Sequence, residues 1–535
     1  MHKFIKKLLF TSTKNLYKKQ NTDSYSNLNF NKLSDELNTT LAFLDERLKN
    51  SSDFILHKLS ATKDGAYRVA ICYMDGLVDH QLVTKLIWDM NQVSWEEKIY
   101  SSMETDWIKA QLSALSSSSV YTEDDLMKSI LNGRAVVIIH GINEAFVATV
   151  NGGSRRAVEE PTSQTVIRGP KEGFTEDITT NIALVRRKIK SPDLCVKSQV
   201  IGRYTQTKVS LIYIDGIANP EVVKEISSRL NSIETDSILE SGYIEEFIQD
   251  GILSPFPTMI NTERPDTVAG GLLEGLVAVV VDGTPFVLLA PVTFFRFLVS
   301  SEDYYQRFDI SSFLRMVRLA SFFIALLLPS LFIATTTFQQ EMLPTTLLIT
   351  LAAQRESTPL PALMEALIME LTFEIIREAG VRMPRAIGPA ISIVGALVLG
   401  QAAVQAGLVS AAMVIVVSFT AIANFVLPAI NMAATVRLLR FFLMFLAGTF
   451  GLYGILIGLV PILAHLVSLE SFGIPYLMPL SPFNKSNLKD LFIRAPWWKI
   501  KTRPVMIGDM NPKRVSDKQK SFAQRAKDHK RDPLS

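Results

Sequence analysis

The sequence predicts a multi-domain chain, with a duplicated α/β soluble N-terminal half followed by an all-α polytopic membrane bundle. Three observations carry this reading. Two short strings recur at almost one spacing within residues 28–305. Long apolar runs begin near Met316 and continue to about residue 463. Arginine clusters sit at one end of those runs. The expected divisions are a basic N-terminus (1–27), two α/β subdomains (28–165 and 166–305), a transmembrane helical domain (306–483) and a basic tail (484–535).

Composition agrees with two unlike halves. The 535 residues are 48% hydrophobic and mean hydropathy is +0.22, modest for a pure transporter and high for a soluble enzyme. Two cysteines, Cys72 and Cys195, give no disulfide framework, and the six histidines show no metal-ligand spacing. The first residues are basic but lack a long apolar core and a small-residue cleavage site. No signal peptide is expected, and the first half is expected in the cytoplasm. Residues 484–535 hold 14 Lys and Arg against 5 Asp and Glu. Such a tail either meets anionic lipid head groups or stays solvated. The sequence has no phosphate-binding glycine loop, nucleophile elbow or metal cluster. The chain is therefore expected to be no enzyme, with no cofactor, no metal and no nucleic-acid partner.

The duplication rests on two matches. The run from Ala70 to Leu77 parallels that from Leu211 to Ile217, with Tyr73 on Tyr213 at an offset of 140. The run 131–150 parallels 273–292, with Gly133 on Gly275 and Gly141 on Gly283 at an offset of 142. The first match is an apolar strand ending in Asp-Gly, a turn signal. A helix should follow. Asn219 suits its N-cap, Pro220 its first position and Glu221 its positive end, and Asp79 takes the cap position in the first copy. The second match reads as a hairpin around Asp282-Gly283, or His140-Gly141. Between the copies, Phe174–Lys188 reads as an amphipathic helix, acidic early and basic late. It is expected either to face a neighbouring subunit or to lie solvated on the surface.

Four stretches are long and apolar enough to span a bilayer: 316–338, 387–408, 409–430 and about 439–463. Pro329 should kink the first. Arg307, Arg315 and Arg318 precede the first span, Arg377, Arg382 and Arg385 the second, and Arg437 and Arg440 the last. By the positive-inside rule these clusters are cytoplasmic, as is the N-terminal half. Segments 344–380 and 461–483 carry charges and prolines, and they read as broken or re-entrant passages.

Several strings resemble the A subunits of GerA-type spore germination receptors: residues 254–297 (SPFPTMINTERPDTVAGG onward), 174–187 (FTEDITTNIALVRR), 378–417 (EAGVRMPRAIGPAIS onward) and 511–516 (NPKRVS). The resemblance covers roughly residues 30–520, leaving 1–27 and the end of the tail outside it. It implies a place in the inner membrane of bacterial endospores. It also implies a transporter-like B subunit that binds nutrient, a C-subunit lipoprotein, and assembly of the A subunit with itself. The family's A subunits are expected to form a ring, of about five copies, around a cation-conducting pore.

The pore-helix candidate in this sequence is 387–408. Gln401 and Gln405 share one helical face, extended by Val394 and Leu408 with Val404 beside it. A second face holds Ala396, Gly400, Ala403 and Gly407, small residues that let helix backbones approach. Glutamine amides can replace ion hydration, and an aliphatic ring can gate by dewetting. The same glutamines would also bond a neighbouring helix inside a rigid bundle. A rival feature is the acidic series Glu370, Glu374 and Glu378, with Glu365 before it. It reads either as a cation-attracting vestibule or as an interfacial helix paired with Arg377, Arg382 and Arg385. Two other classes stay open: a secondary transporter, although the membrane half shows no repeat, and a scaffold that transmits a signal without conducting.

Overall fold

In the computed structural model the described residues are 32–61, 67–92, 118–150, 152, 160–161, 164–356, 358–382, 400–483, 490–504, 506–508 and 510–514. They fall into two compact units. One comprises Met1–Arg47 with Phe54–Asn151, the other Leu48–Asp53 with Gly152–Ser535.

Helix α1 (Leu37–Leu48) precedes a five-stranded sheet built from β1 (Phe54–Ala61), β2 (Tyr67–Met74), β3 (Ser118–Val120), β4 (Ala135–Ile139) and β5 (Ala145–Ala148). The order is β1-β2-β4-β5-β3 and every pairing is antiparallel. Helices α2 (His80–Asn91) and α3 (Glu123–Leu131) lie in the connections.

The second unit repeats this plan. It has α4 (Ile178–Lys188), β6 (Leu194–Ile201), β7 (Thr207–Ile214), α5 (Pro220–Asn231), α6 (Ser241–Ile248), β8 (Ile260–Thr262), α7 (Pro265–Glu274), β9 (Val277–Val281) and β10 (Val287–Ala290). Its order, β6-β7-β9-β10-β8, is the first order renumbered. Register repeats as well: Val69 faces Ile139 in the first sheet, and Val209 faces Val281 in the second. The duplication seen in sequence is thus a duplication of fold.

Local chemistry explains the elements. Asp79 accepts the N–H groups of Gln81 and Leu82 at the start of α2, and Asn219 accepts that of Glu221 at the start of α5. Gly283 takes a φ of +87° at the β9–β10 turn, where a side chain would be strained. β7 is apolar on both faces because both are covered. Ile212 and Ile214 point with Val280 and Leu289 towards α4 and α7, while Leu211 and Tyr213 point with Val279 and Leu288 towards α5 and α6. The result is a three-layer α/β/α sandwich, held by burial of about 25 cal/mol per Å2 of apolar surface.

Helix α4 is the first helix of this second copy. Ile178, Ile182 and Val185 enter the core. Arg186 is 1% exposed and donates to both Asp53 oxygens, at 2.6 and 2.8 Å. The expectation of a docking or solvated helix at 174–188 is corrected accordingly: its basic end is partly an internal ion pair.

Among the described residues the helical half has α8 (Phe308–Thr337), α9 (Thr345–Glu356), α10 (Ala362–Arg382), α11 (Ala411–Phe425), α12 (Ile430–Phe450) and α13 (Leu452–Ser468). Among the described residues α8 and α12 are long and apolar enough to cross a membrane, and α11 and α13 are shorter apolar helices. Most of the span expected at 387–408 lies outside the described residues; 400–405 is helical. The span expected at about 439–463 is two helices rather than one. They meet at Gly451, with φ +62° and ψ −140°. The Gln339 side-chain oxygen accepts the Leu452 N–H there at 3.2 Å.

The segment 461–483, expected to be broken or re-entrant, is broken after Ser468. Helix α13 runs to Ser468, and then β11 (Glu470–Ser471) pairs with β12 (Ile474–Pro475). This hairpin belongs to the α/β subdomain. Ser471 Oγ donates to the Thr258 carbonyl and accepts the Val292 N–H, and Tyr476 donates its hydroxyl to the Pro257 carbonyl. Part of the tail returns too: Ile507 enters the core beside Leu272 and Leu276, and Arg503 donates to the Leu273 carbonyl. These returns explain why the second subdomain and the helical half form one compact unit.

Candidate functional site

The polar candidate face ends in a defined turn. Gln401, Gln405 and Leu408 are exposed, and Val404 is half-buried. Val394 and Ala396 lie outside the described residues. On the small-residue face Gly400 is buried, and a Cβ there would sit 3.7 Å from Val414 Cγ1. Ala403 is half-buried.

Gly407 has another job than expected. Its φ is +64°. Its N–H donates to the Val404 carbonyl and that of Leu408 to the Ala403 carbonyl, the pair of hydrogen bonds that closes a helix with a left-handed residue. Gly407 therefore terminates the helix instead of extending its packing face. Ser410 follows as N-cap of α11, its Oγ accepting the Met413 N–H.

That turn is held by a carboxylate. Glu365 on α10 is fully buried, and its Oε2 accepts the Ser410 backbone N–H at 2.8 Å. A negative charge at a helix N-terminus is favourable for the helix dipole. Reading a charge series in isolation does not disclose this role.

The acidic series is graded in exposure. Glu370 and Arg440 are each 1% exposed and pair at 2.9 Å. Glu374 is shared by Arg377 at 2.6 Å and Arg437 at 3.1 Å. Glu378 pairs with Arg382 at 2.8 Å in solvent. Arg377 and Arg382 were expected partners. Arg437 and Arg440 were not, because they lie some 60–70 residues away in sequence, a separation at which pattern alone assigns no pairs.

A second cluster joins the helices to the α/β subdomain. Asp303, 1% exposed, accepts from Arg315 at 3.1 Å and from Arg318 at 2.8 Å. Arg315 also reaches Asp490 at 2.9 Å. Burial, with the charges of Asp490 and Glu274, pushes the Tyr304 phenol well above its ordinary range. Its hydroxyl donates to Asp490 at 2.7 Å. Helix α8 is thereby tied to the α/β subdomain and to the returning tail. In sequence Arg315 and Arg318 signal orientation only, and their partners Asp303 and Asp490 carry no local signal.

Among the described residues no group of three or more His, Cys, Asp or Glu could hold a metal ion.

Comparison with known proteins follows the same lines. The family profile described as Bacillus/Clostridium GerA spore germination protein matches residues 42–506. Spore germination protein KA of Bacillus subtilis (strain 168) is 45% identical over 483 residues, spanning 89% of this chain and 87% of that one. The membrane protein YfkQ of the same organism is 47% identical over 443 residues, 81% of this chain and 84% of its own. A crystal structure of the N-terminal domain of the A subunit of the Bacillus megaterium spore germinant receptor GerK3 is 39% identical. It covers 50% of this chain and 98% of its own, with a TM-score of 0.38. The chain belongs to the GerA family of spore germination proteins, the A subunits of germinant receptors.

Proposed function

We propose that this A subunit assembles with itself into a nutrient-gated ion channel in the inner membrane of the spore, releasing cations to trigger germination. The observation that carries the reading is the Gln401–Gln405 face. It is left exposed in one copy of the chain, on a helix whose end is fixed by Gly407 and Glu365. An exposed amide face within an apolar bundle is costly against lipid and needs water, an ion path or a neighbouring copy. In a ring those amides would line the path, with Leu408 at its end as an aliphatic constriction. Gly400 and Ala403 would pack helix against helix.

In this reading the N-terminal half and the tail are cytoplasmic, and the chain crosses the membrane several times. The nutrient is bound by a transporter-like B subunit, a lipoprotein C subunit completes the receptor, and this chain does no covalent chemistry. The Asp303–Arg315 cluster would carry movement from the second α/β subdomain to the helices.

Native mass spectrometry of the detergent-purified protein tests the assembly. A closed ring of about five copies is expected. A monomer or dimer that persists across mild detergents would remove the pore and favour a scaffold or transporter.

A further inference from the structure

A cleft of about 590 Å3 opens between the second α/β subdomain and the tip where α11 ends and α12 begins. That is within the range of small-ligand sites. Its chemistry is unbalanced. Arg264, Arg296, Arg377, Arg437 and Arg514 line it. Among the described residues they pair with three carboxylates, Asp266, Glu274 and Glu374, because Glu274 serves both Arg296 and Arg514, and Glu374 serves both Arg377 and Arg437. The surplus is positive.

Two further features point into the same space. Helix α12 starts at Ala429 with no side-chain cap, and Ala429, Ile430 and Asn431 line the cleft. The first N–H groups of a 21-residue helix therefore present their partial positive charge to it. Asn424, also on the wall, is 8% exposed, and its Oδ1 has no hydrogen-bond partner. A buried unpaired acceptor costs free energy unless a donor arrives. At the rim, Phe425 and Ile430 are 68% and 51% exposed.

We infer that this cleft binds the headgroup of an anionic glycerophospholipid. The phosphate lies against the arginine surplus and the open helix end. A headgroup hydroxyl donates to Asn424 Oδ1. The acyl chains leave over Phe425 and Ile430. A basic cleft at the ends of membrane helices, where a headgroup layer would lie, suits such a headgroup. The inference rests on the membrane reading of the helical half and gives that half a lipid-dependent joint with the α/β subdomain.

The test uses the full chain in detergent, stripped of lipid and titrated with short-chain phosphatidylglycerol, phosphatidylethanolamine or inorganic phosphate. Native mass spectrometry and thermal melting read the result. One phosphatidylglycerol per chain is expected, with a rise in Tm. Arg377→Gln and Arg514→Gln should each weaken its binding about tenfold. Arg382→Gln, on the same helix as Arg377, should leave it unchanged, since Arg382 does not line the cleft. Equal uptake of both lipids, or no effect of either cleft variant, would overturn the inference. Displacement of the lipid by millimolar phosphate would overturn it in favour of a free anion. Flotation with neutral vesicles separates the two claims. A protein that floats without preferring phosphatidylglycerol defeats only the cleft assignment, whereas one that does not float defeats the membrane reading.

Discussion

Glu365 Oε2 accepts the Ser410 backbone N–H at 2.8 Å across 45 residues of sequence, and both residues are buried. One carboxylate thus fixes where the candidate pore helix ends and where α11 begins. Removing it strands a buried donor, a loss of about 1–3 kcal/mol. Glu365→Ala should lower the Tm in detergent by several degrees, and Glu365→Gln, which keeps an acceptor oxygen, by much less. Equal losses in the two variants would show that the acceptor is not what matters.

Among the described residues the Glu370–Arg440 pair is the most enclosed ion pair of the bundle, each side chain 1% exposed. Breaking one partner leaves a buried charge and should cost about 3–5 kcal/mol. Arg440→Met alone should therefore be severely destabilising. Glu370→Leu combined with Arg440→Met should recover much of the loss. A double-mutant cycle on thermal melting checks it, and strict additivity would contradict the pairing.

Gly451 joins α12 to α13 in a conformation that glycine alone adopts readily, with φ +62°. A Cβ there would stand 2.7 Å from Gln339 Oε1, the atom that caps Leu452. Gly451→Ala should cost about 1–3 kcal/mol from backbone strain, with the lost cap adding to it. Gln339→Leu should cost only the cap, about 1 kcal/mol. Limited proteolysis within 448–455 should rise in the first variant more than in the second.

Glu245 on α6 titrates unusually. Burial first, and then the charge of Glu240, push its carboxyl up to about 7 from the ordinary 4.5. The folded chain therefore holds this proton more tightly than the unfolded chain. The stability it contributes is full below pH 4.5 and is lost as pH rises towards about 7. Glu245→Gln, which resembles the protonated form, should raise the Tm by a few degrees above pH 7 and change little near pH 4.5. An equal shift at both ends of that range would refute the assignment.

Much of the α/β half was legible because its signals are local and periodic. Tyr73 and Tyr213, and Gly141 and Gly283, sit at equivalent places in two sheets of one order. Asp79 and Asn219 cap the helices their positions implied. The helical half was less legible. Hydropathy merges what Gly451 divides, since one residue with a positive φ does not alter a window average. It also grouped residues 469–476 with the membrane helices, whereas their backbone bonds are a hairpin's and the α/β subdomain's: the Tyr476 N–H donates to the Leu469 carbonyl, the Phe294 N–H to the Tyr476 carbonyl and the Phe472 N–H to Asp250. In the candidate site, spacing puts Gln401 and Gln405 on one helical face but does not decide between an exposed face, as here, and one bonded to a neighbouring helix. The partners of Glu370 and Glu374 on α12 were not, because a charge pattern does not record which distant helix will lie beside it.

The most direct measurement is the current across a planar bilayer containing the assembled receptor, before and after nutrient. The account predicts a nutrient-evoked conductance whose cation selectivity rises in Gln405→Glu, because the added carboxylate would stand in the ion path. No conductance from a complete, nutrient-responsive receptor, or identical selectivity in the variant, would contradict the pore.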